Sequence, residues 1–300
     1  MSGGRSELLV LRAGSLTTVQ DRGRPGLAHL AIPPSGALDP PAWRLANRLV
    51  GNGEDAAALE TTLTGVTLLA QGSCAVAVTG ARAPVTVAGR PAGWGVPLIL
   101  EAGQVLDVGP ASAGVRSYVG VSGGIAVAPV FGSRSTDVLS ELGPPRLRDG
   151  DTLPLGPVRG SSLGLDFAPY PLPPDHLSLI LHPGPRQDWL SGKGLSALGS
   201  EAWRVAPASN RVGLRLDGPA LPRARLGELP SEGIVTGAVQ VPPDGHPLIF
   251  LADHPTTGGY PVVGVVDVAD LAACAQARPG APVDFRAPAT LQHRTEMETT

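Results

Sequence analysis

Lysine is almost missing from this chain: Lys193 stands alone against twenty-two arginines. With abundant Ala, Gly and Pro, that imbalance reflects GC-rich coding and carries no functional meaning. It does confine any lysine-dependent mechanism to Lys193 or the N-terminal amine. Cysteine is nearly absent too, and Cys74 and Cys274 are too few for a disulfide framework or a thiolate metal cluster. They read as small buried hydrophobes, and no metal site is expected. Nowhere does the sequence run to the roughly 18 uninterrupted apolar residues of a membrane span. The apolar part of MSGGRSELLVL is too short for a secretory signal, so the expected location is the cytoplasm. Charged residues make up only 16%, the net charge is −3 and the arginines are dispersed, which gives no electrostatic reason to expect nucleic acid.

What is plentiful is glycine, 40 residues, and proline, 32, against 42% hydrophobic residues. So much punctuation breaks long helices and predicts many short strands joined by turns. At 300 residues the chain exceeds what one core normally serves, and two domains are expected. The Pro-, Gly- and Ser-rich run Gly156 to Asp175 places the boundary, giving domains 1–160 and 161–300. Strands are expected from LLVLR (Leu8 to Arg12) and LTTVQ, and through residues 60–124, where Arg116 and Tyr118 share a face. A second series follows from Leu177. One helix is expected over Pro40 to Val50, with Asp39 as N-cap, Pro40 at the first position and Gly51 ending it. Another is expected over Val268 to Ala277, and the tail after Leu291 is expected to fray.

Three loops concentrate polar function. ADHPTTGGYP, Ala252 to Pro261, lies between the strand-like runs LIFLA and VVGVV. It reads either as a tight Gly-Gly hairpin whose Thr hydroxyls cap turns, or as a binding loop whose glycines admit close approach of a ligand. QDRGR, Gln20 to Arg24, is either a solvated turn with weak ion pairs or a pocket in which a guanidinium grips an anion. GSRSTD, Gly132 to Asp137, is by itself an ordinary hydroxyl-rich turn. Known catalytic motifs are missing. Around Lys193 the phosphate-loop pattern fails at Gln187 and Gly194, no GxSxG or HExxH occurs, and the six histidines are scattered.

Taken in order, LTTVQDRGRPG, IPPSGALD, ANRLVGN, SYVGVSGGI, GSRST, SNRVGLRL and SEGIVTGAVQVPPDGHPLIFLADHPTTGGYP resemble the biotin-dependent carboxyltransferase family, which includes the C subunits of 5-oxoprolinase. The resemblance runs from about residue 8 to 286. It implies a mainly β fold of two barrel-like domains, the C-terminal one similar to cyclophilin. It also implies A-like and B-like partner subunits, and ATP-dependent opening of 5-oxo-L-proline to L-glutamate by the assembly, this chain alone being inactive. Phosphorylating the lactam oxygen with Mg-bound ATP would create a leaving group that water displaces. Two alternatives remain open: the carboxyltransferase part of a biotin-dependent urea carboxylase, although no AMKM-like lysine is present, and a regulator that binds a kinase inhibitor.

The resemblance further implies site residues. Arg24, Asp253, Thr257 and Tyr260 are expected to be catalytic. Gln20, Asp21, Arg134, Ser135, Asn210, Arg211, Glu232, Gln240, Thr256, Gly258 and Gly259 are expected to bind substrate. Within that set Arg24 and Arg211 would hold anionic oxygens, while Gln240 and the Thr257 to Gly259 loop hold the amide. The expectation is one hollow shared by the Arg24 and Thr257 turns. His254 sits at a variable position of the motif.

Overall fold

A computed structural model describes residues 7–162, 168–225, 227 and 229–288. The tail after Leu291 and part of the 156–175 run lie outside them. Two compact units result: one holds residues up to Gly26 together with Pro34–Pro173, the other Leu27–Pro33 and the chain from Pro174 onward. Strands dominate both, as the density of glycine and proline predicts. Among the described residues no helix is long and apolar enough to cross a membrane.

The first unit contains β1 (Glu7–Arg12), β2 (Thr17–Gln20), β3 (Ala58–Thr62), β4 (Val66–Ala70), β5 (Cys74–Arg82), β6 (Val85–Val87), β7 (Arg90–Ala92), β8 (Pro97–Leu100), β9 (Val105–Val108), β10 (Ala113–Val121) and β11 (Thr152–Pro154). They form a six-stranded sheet, β11-β1-β4-β9-β6-β7, and a five-stranded sheet, β2-β3-β10-β5-β8. Strand alternation decides what lies between the sheets. Val66, Leu68 and Ala70 of β4 point inward and meet Leu59, Val76, Val78, Val119 and Val121 in one apolar core. Burying each of these larger side chains contributes about 1.5–3 kcal/mol. Cys74 and Cys274 are free and buried, as expected, and burial pushes their thiols up to about 11 and about 12.

The other face of the five-stranded sheet carries helix α1 (Pro40–Leu49). The helix begins where the sequence signals it: the Asp39 carboxylate accepts from Ala42 N at 3.0 Å, and Pro40 occupies the first turn. Ala42, Trp43 and Ala46 pack on Ala58 and Tyr118. Gly120 lets helix and strand touch, since a Cβ there would come within 2.5 Å of the Ala46 carbonyl. Under the helix N-terminus Glu60 of β3 faces Tyr118 of β10 across the ladder. Glu60 accepts from the Tyr118 hydroxyl at 2.7 Å and from Leu38 N at 3.0 Å, while the Tyr118 oxygen accepts from Asp39 N at 2.8 Å. Burial, reinforced by the Glu60 and Asp39 carboxylates, holds the Tyr118 hydroxyl protonated well above its usual range, so it stays a donor.

The second unit contains β12 (Leu177–Pro183), α2 (Gly192–Ser200), β13 (Trp203–Val205), β14 (Gly213–Asp217), β15 (Glu232–Gly233), β16 (Ala238–Gln240), β17 (Leu248–Phe250), β18 (Thr257–Gly258), β19 (Val262–Val266), α3 (Leu271–Gln276) and β20 (Pro282–Arg286). Seven of the strands close a barrel, β12-β19-β16-β17-β14-β13-β20, and a parallel β12–β20 pair completes the ring. The late helix is shorter than expected, because Val268–Asp270 is a 3-10 turn capped by Asp267. Helix α2 is not legible in sequence, since Gly192, Gly194 and Gly199 lower its propensity. It forms nonetheless, capped by the Ser191 hydroxyl on Gly194 N and with Leu198 buried.

Candidate functional site

The candidate residues divide between the two units, and each set is defined by contacts within its own unit. In the first, edge strand β2 runs into the Asp21 turn, and the 130–137 segment lies beside it, with Thr136 N donating to Val19 O at 2.9 Å. Asp21 is 4% exposed and tied entirely to the chain. Its Oδ1 accepts from Gly23 N at 2.8 Å, Ser133 Oγ at 2.5 Å and Ser135 Oγ at 2.7 Å, and its Oδ2 accepts from Arg134 N at 2.6 Å. A carboxylate so supplied with donors orders a loop and has little left for a ligand. Of the two readings of QDRGR, neither the solvated turn nor the substrate grip describes Asp21.

Arg24 is buried as well, at 2% exposed, and its Nη2 donates to Ser135 O at 2.5 Å. Gln20 Nε2 donates to Thr136 O at 2.9 Å and Thr18 Oγ1 at 3.0 Å, whereas its Oε1 is buried and has no partner among the described residues. Ser135 is fully buried on Asp21. Arg134 differs. It is half-buried, its Nε donates to Val127 O at 2.8 Å, and it lines a recess of about 340 Å³ walled by Gly51, Gly123 and Gly156.

In the second unit the Ala252 to Pro261 loop is not a hairpin. β17 and β19 both pair with β16, so the loop must cross the end of that intervening strand. Its base is a buried ion pair: Arg211 Nε to Asp253 Oδ2 at 2.8 Å and Arg211 Nη2 to Asp253 Oδ1 at 3.0 Å, with side chains 1% and 0% exposed. This corrects two expectations. Arg211 is neutralised by Asp253 and turned away from solvent, so it is no free anion clamp. Asp253 lacks the access that proton transfer to a substrate requires. Asn210 is structural too, its Oδ1 accepting from Val212 N at 2.8 Å.

Beyond Asp253, His254 is buried against Phe250. Its Nδ1 lies 2.7 Å from Pro255 O, which can only accept, so Nδ1 carries the proton and Nε2 faces Thr236 Oγ1 at 3.1 Å. Thr257–Gly258 then pairs with Glu232–Gly233 in a two-stranded ribbon apart from the barrel. Ile234 N donates to Thr256 O at 2.9 Å and Leu229 N to Gly259 O at 2.9 Å. A Cβ on Gly258 would come within 2.6 Å of Ile234 Cδ1 and 3.0 Å of Gln240 Nε2, so those side-chain ends would have to shift to admit one. Buried Gln240 donates Nε2 to Tyr260 O at 2.9 Å, fixing the loop from beneath. Thr257 is exposed, Thr256 and Tyr260 are half-buried, and among the described residues neither threonine hydroxyl has a hydrogen-bond partner.

Arg186 is the residue that sequence reasoning missed here. Its guanidinium forms a bidentate pair with Glu232, with Nε to Oε2 at 3.0 Å, on the flank of the ribbon. The pair raises the Arg186 pKa and, through the hydrogen bond first, lowers that of Glu232. The only sequence signal was an arginine behind the Pro-Gly-Pro turn that ends β12. Among the described residues no group of three or more His, Cys, Asp or Glu is arranged to hold a metal.

Comparison with known proteins places this geometry in context. The chain is 38% identical over 281 residues to the C subunit of the 5-oxoprolinase of Escherichia coli, covering 93% of this chain and 90% of that one. The crystal structure of TTHA0988 superposes with a TM-score of 0.85 at 39% identity over 94% of this chain, which spans only 55% of that longer polypeptide. The K. lactis urea amidolyase matches 99% of this chain at 29% identity and a TM-score of 0.89, over 20% of its own length. Residues 30–287 match the family described as carboxyltransferase domain, subdomain A and B, a range that begins after Gln20, Asp21 and Arg24. The chain belongs to that carboxyltransferase domain family.

Proposed function

We propose that this chain is the C subunit of an ATP-dependent 5-oxoprolinase, which opens 5-oxo-L-proline to L-glutamate with A-like and B-like partners in the cytoplasm. The observation that carries the reading is the 38% identity to the E. coli protein, extending over nine-tenths of both chains. In TTHA0988 and the urea amidolyase the matched region is one part of a longer polypeptide, which supports a role beside further domains.

On this chain the amide is held by the ribbon: the free Thr256 and Thr257 hydroxyls, and backbone made approachable by Gly258 and Gly259. Donors aimed at a lactam oxygen stabilise the charge that grows there as the ring is attacked. No feature of the described residues singles out an ATP site on this chain. Among the described residues there is no acidic cluster for magnesium, and Lys193 is followed by Gly194 where a phosphate loop needs Ser or Thr. The reading places the nucleotide on a partner.

The test is a three-subunit reconstitution measuring glutamate release. Turnover with 5-oxoproline that needs ATP and all three proteins supports the reading, and Thr257→Ala should lower it about 100-fold. A second reading, carboxyl transfer from biotin to an amide nitrogen, is favoured by the urea amidolyase superposition. It would replace the first if turnover required urea and a biotin-bearing partner.

A further inference from the structure

Between Ile125 and Ser133 the first unit carries an apolar surface that its core does not take up. Ala126, Val127, Ala128, Pro129, Val130 and Phe131 are six apolar residues in succession, and none of them is buried. Protein surfaces rarely leave such a run in water without a use for it. It ends in a tight turn, where Val130 N donates to Ser133 O at 2.8 Å and Ser133 N to Val130 O at 3.2 Å. Phe131 and Gly132 form the tip, and both have positive φ, 49° and 77°. The first position of such a turn normally holds Asn, Asp or Gly, because a bulky side chain makes left-handed backbone costly. Here it holds a phenylalanine that is 55% exposed. The ring is too exposed for packing within the chain to offset that strain.

The turn is held firmly. Ser133 Oγ donates to Asp21 and Arg24 Nε reaches Val130 O at 3.4 Å, so the bonds that order the Asp21 turn also anchor the base of this one. Beside it lies the recess of about 340 Å³, whose wall includes Ala126 as well as Arg134. Arg134 holds the loop through its Nε on Val127 O, and among the described residues its two terminal nitrogens have no partner. Asp55 and Arg159 share the lining; both are exposed, and among the described residues neither is paired. Two cations against one anion leave the recess net positive. An apolar loop tipped by an exposed aromatic and flanked by an available guanidinium has the composition of a protein interface. A two-fold contact centred on the turn would set Arg134 against its own copy, like charge on like. That favours a different protein, one that brings a carboxylate.

We infer that the 126–131 loop and the Arg134 recess together form a docking surface for a partner subunit, with Phe131 entering an apolar socket and a carboxylate of the partner entering the recess. The inference rests on the reading of this chain as one subunit of an assembly. The full-length chain is sedimented alone and titrated by calorimetry with the purified A-like and B-like subunits. A monomer that binds at least one of them is the expected result. Phe131→Gly relieves the backbone and removes the ring, so it should weaken that binding about 30-fold or more while the melting temperature holds or rises. Arg134→Gln should weaken it about tenfold and make the affinity less sensitive to salt. Unchanged affinity in Phe131→Gly, a fall in its melting temperature, or a wild-type dimer that this substitution dissociates would overturn the docking surface and leave the subunit reading standing. Failure of the wild-type chain to bind either subunit would count against that reading, and the docking surface would fall with it.

Discussion

The Asp21 turn and the Asp253–Tyr260 loop look equally functional on paper: the first combines an acid with two arginines and a glycine, the second an acid with hydroxyls and two glycines. They are built in opposite ways. The chain answers the Asp21 carboxylate itself, placing four donors on it and setting Arg24 on a backbone carbonyl. At the base of the ribbon the charged pair Arg211–Asp253 is buried, while among the described residues the Thr256 and Thr257 hydroxyls have no hydrogen-bond partner. Residue type marks where polar chemistry is concentrated. Burial and partner count decide whether that chemistry serves the fold or a ligand.

The contrast can be broken by substitution. The largest effect is expected at the sealed base. Arg211→Ala leaves Asp253 charged and buried, costing about 3–5 kcal/mol, whereas Arg211→Met with Asp253→Leu should be close to neutral. Denaturant titration measures both, and a mild Arg211→Ala would mean the pair is not sealed. Asp21→Ala should follow, at about 3 kcal/mol or more, since several donors lose one acceptor together. Thr257→Ala should change stability by no more than about 0.5 kcal/mol while turnover of the assembled enzyme collapses. Unfolding in that variant would show that the ribbon, too, is architecture.

The smallest effect concerns acid. Glu232 is held below the ordinary glutamate value by Arg186, so the contribution of the pair is complete above that value and fades as pH falls through the lowered one. Glu232→Gln should therefore flatten the acid limb of a stability-versus-pH curve below about pH 4.3 and leave neutral pH nearly unchanged. A difference appearing instead near pH 7 would assign the pair another role.

Much of the fold was legible because its signals are local. Asp39-Pro40 before Ala42, Leu45, Ala46 and Leu49 announces α1, and Val66, Leu68 and Ala70 announce an inward strand face. Helix α2 escaped because its three glycines argue against it, and only Ser191 and the burial of Leu198 override them. The loop after β17 was located by composition, but the hairpin reading failed: nothing in LIFLA or VVGVV reveals that β16 is inserted between them. Sites were harder, for the same reason. Glu60 in ALETT gains its meaning from Tyr118, 58 positions away, and Arg186 gains its own from Glu232, 46 positions away.

The insertion of β16 has a mechanical corollary. A connection that must step over one strand has its feet planted roughly 9.5 Å apart, twice the spacing of neighbouring strands, and the closed ring forbids them to drift. The threonines are then carried on a bridge with fixed abutments. Under the proposed reading, an amide arriving there would find its seat already shaped, and the entropic toll that a floppy lid would exact on each arrival would be small.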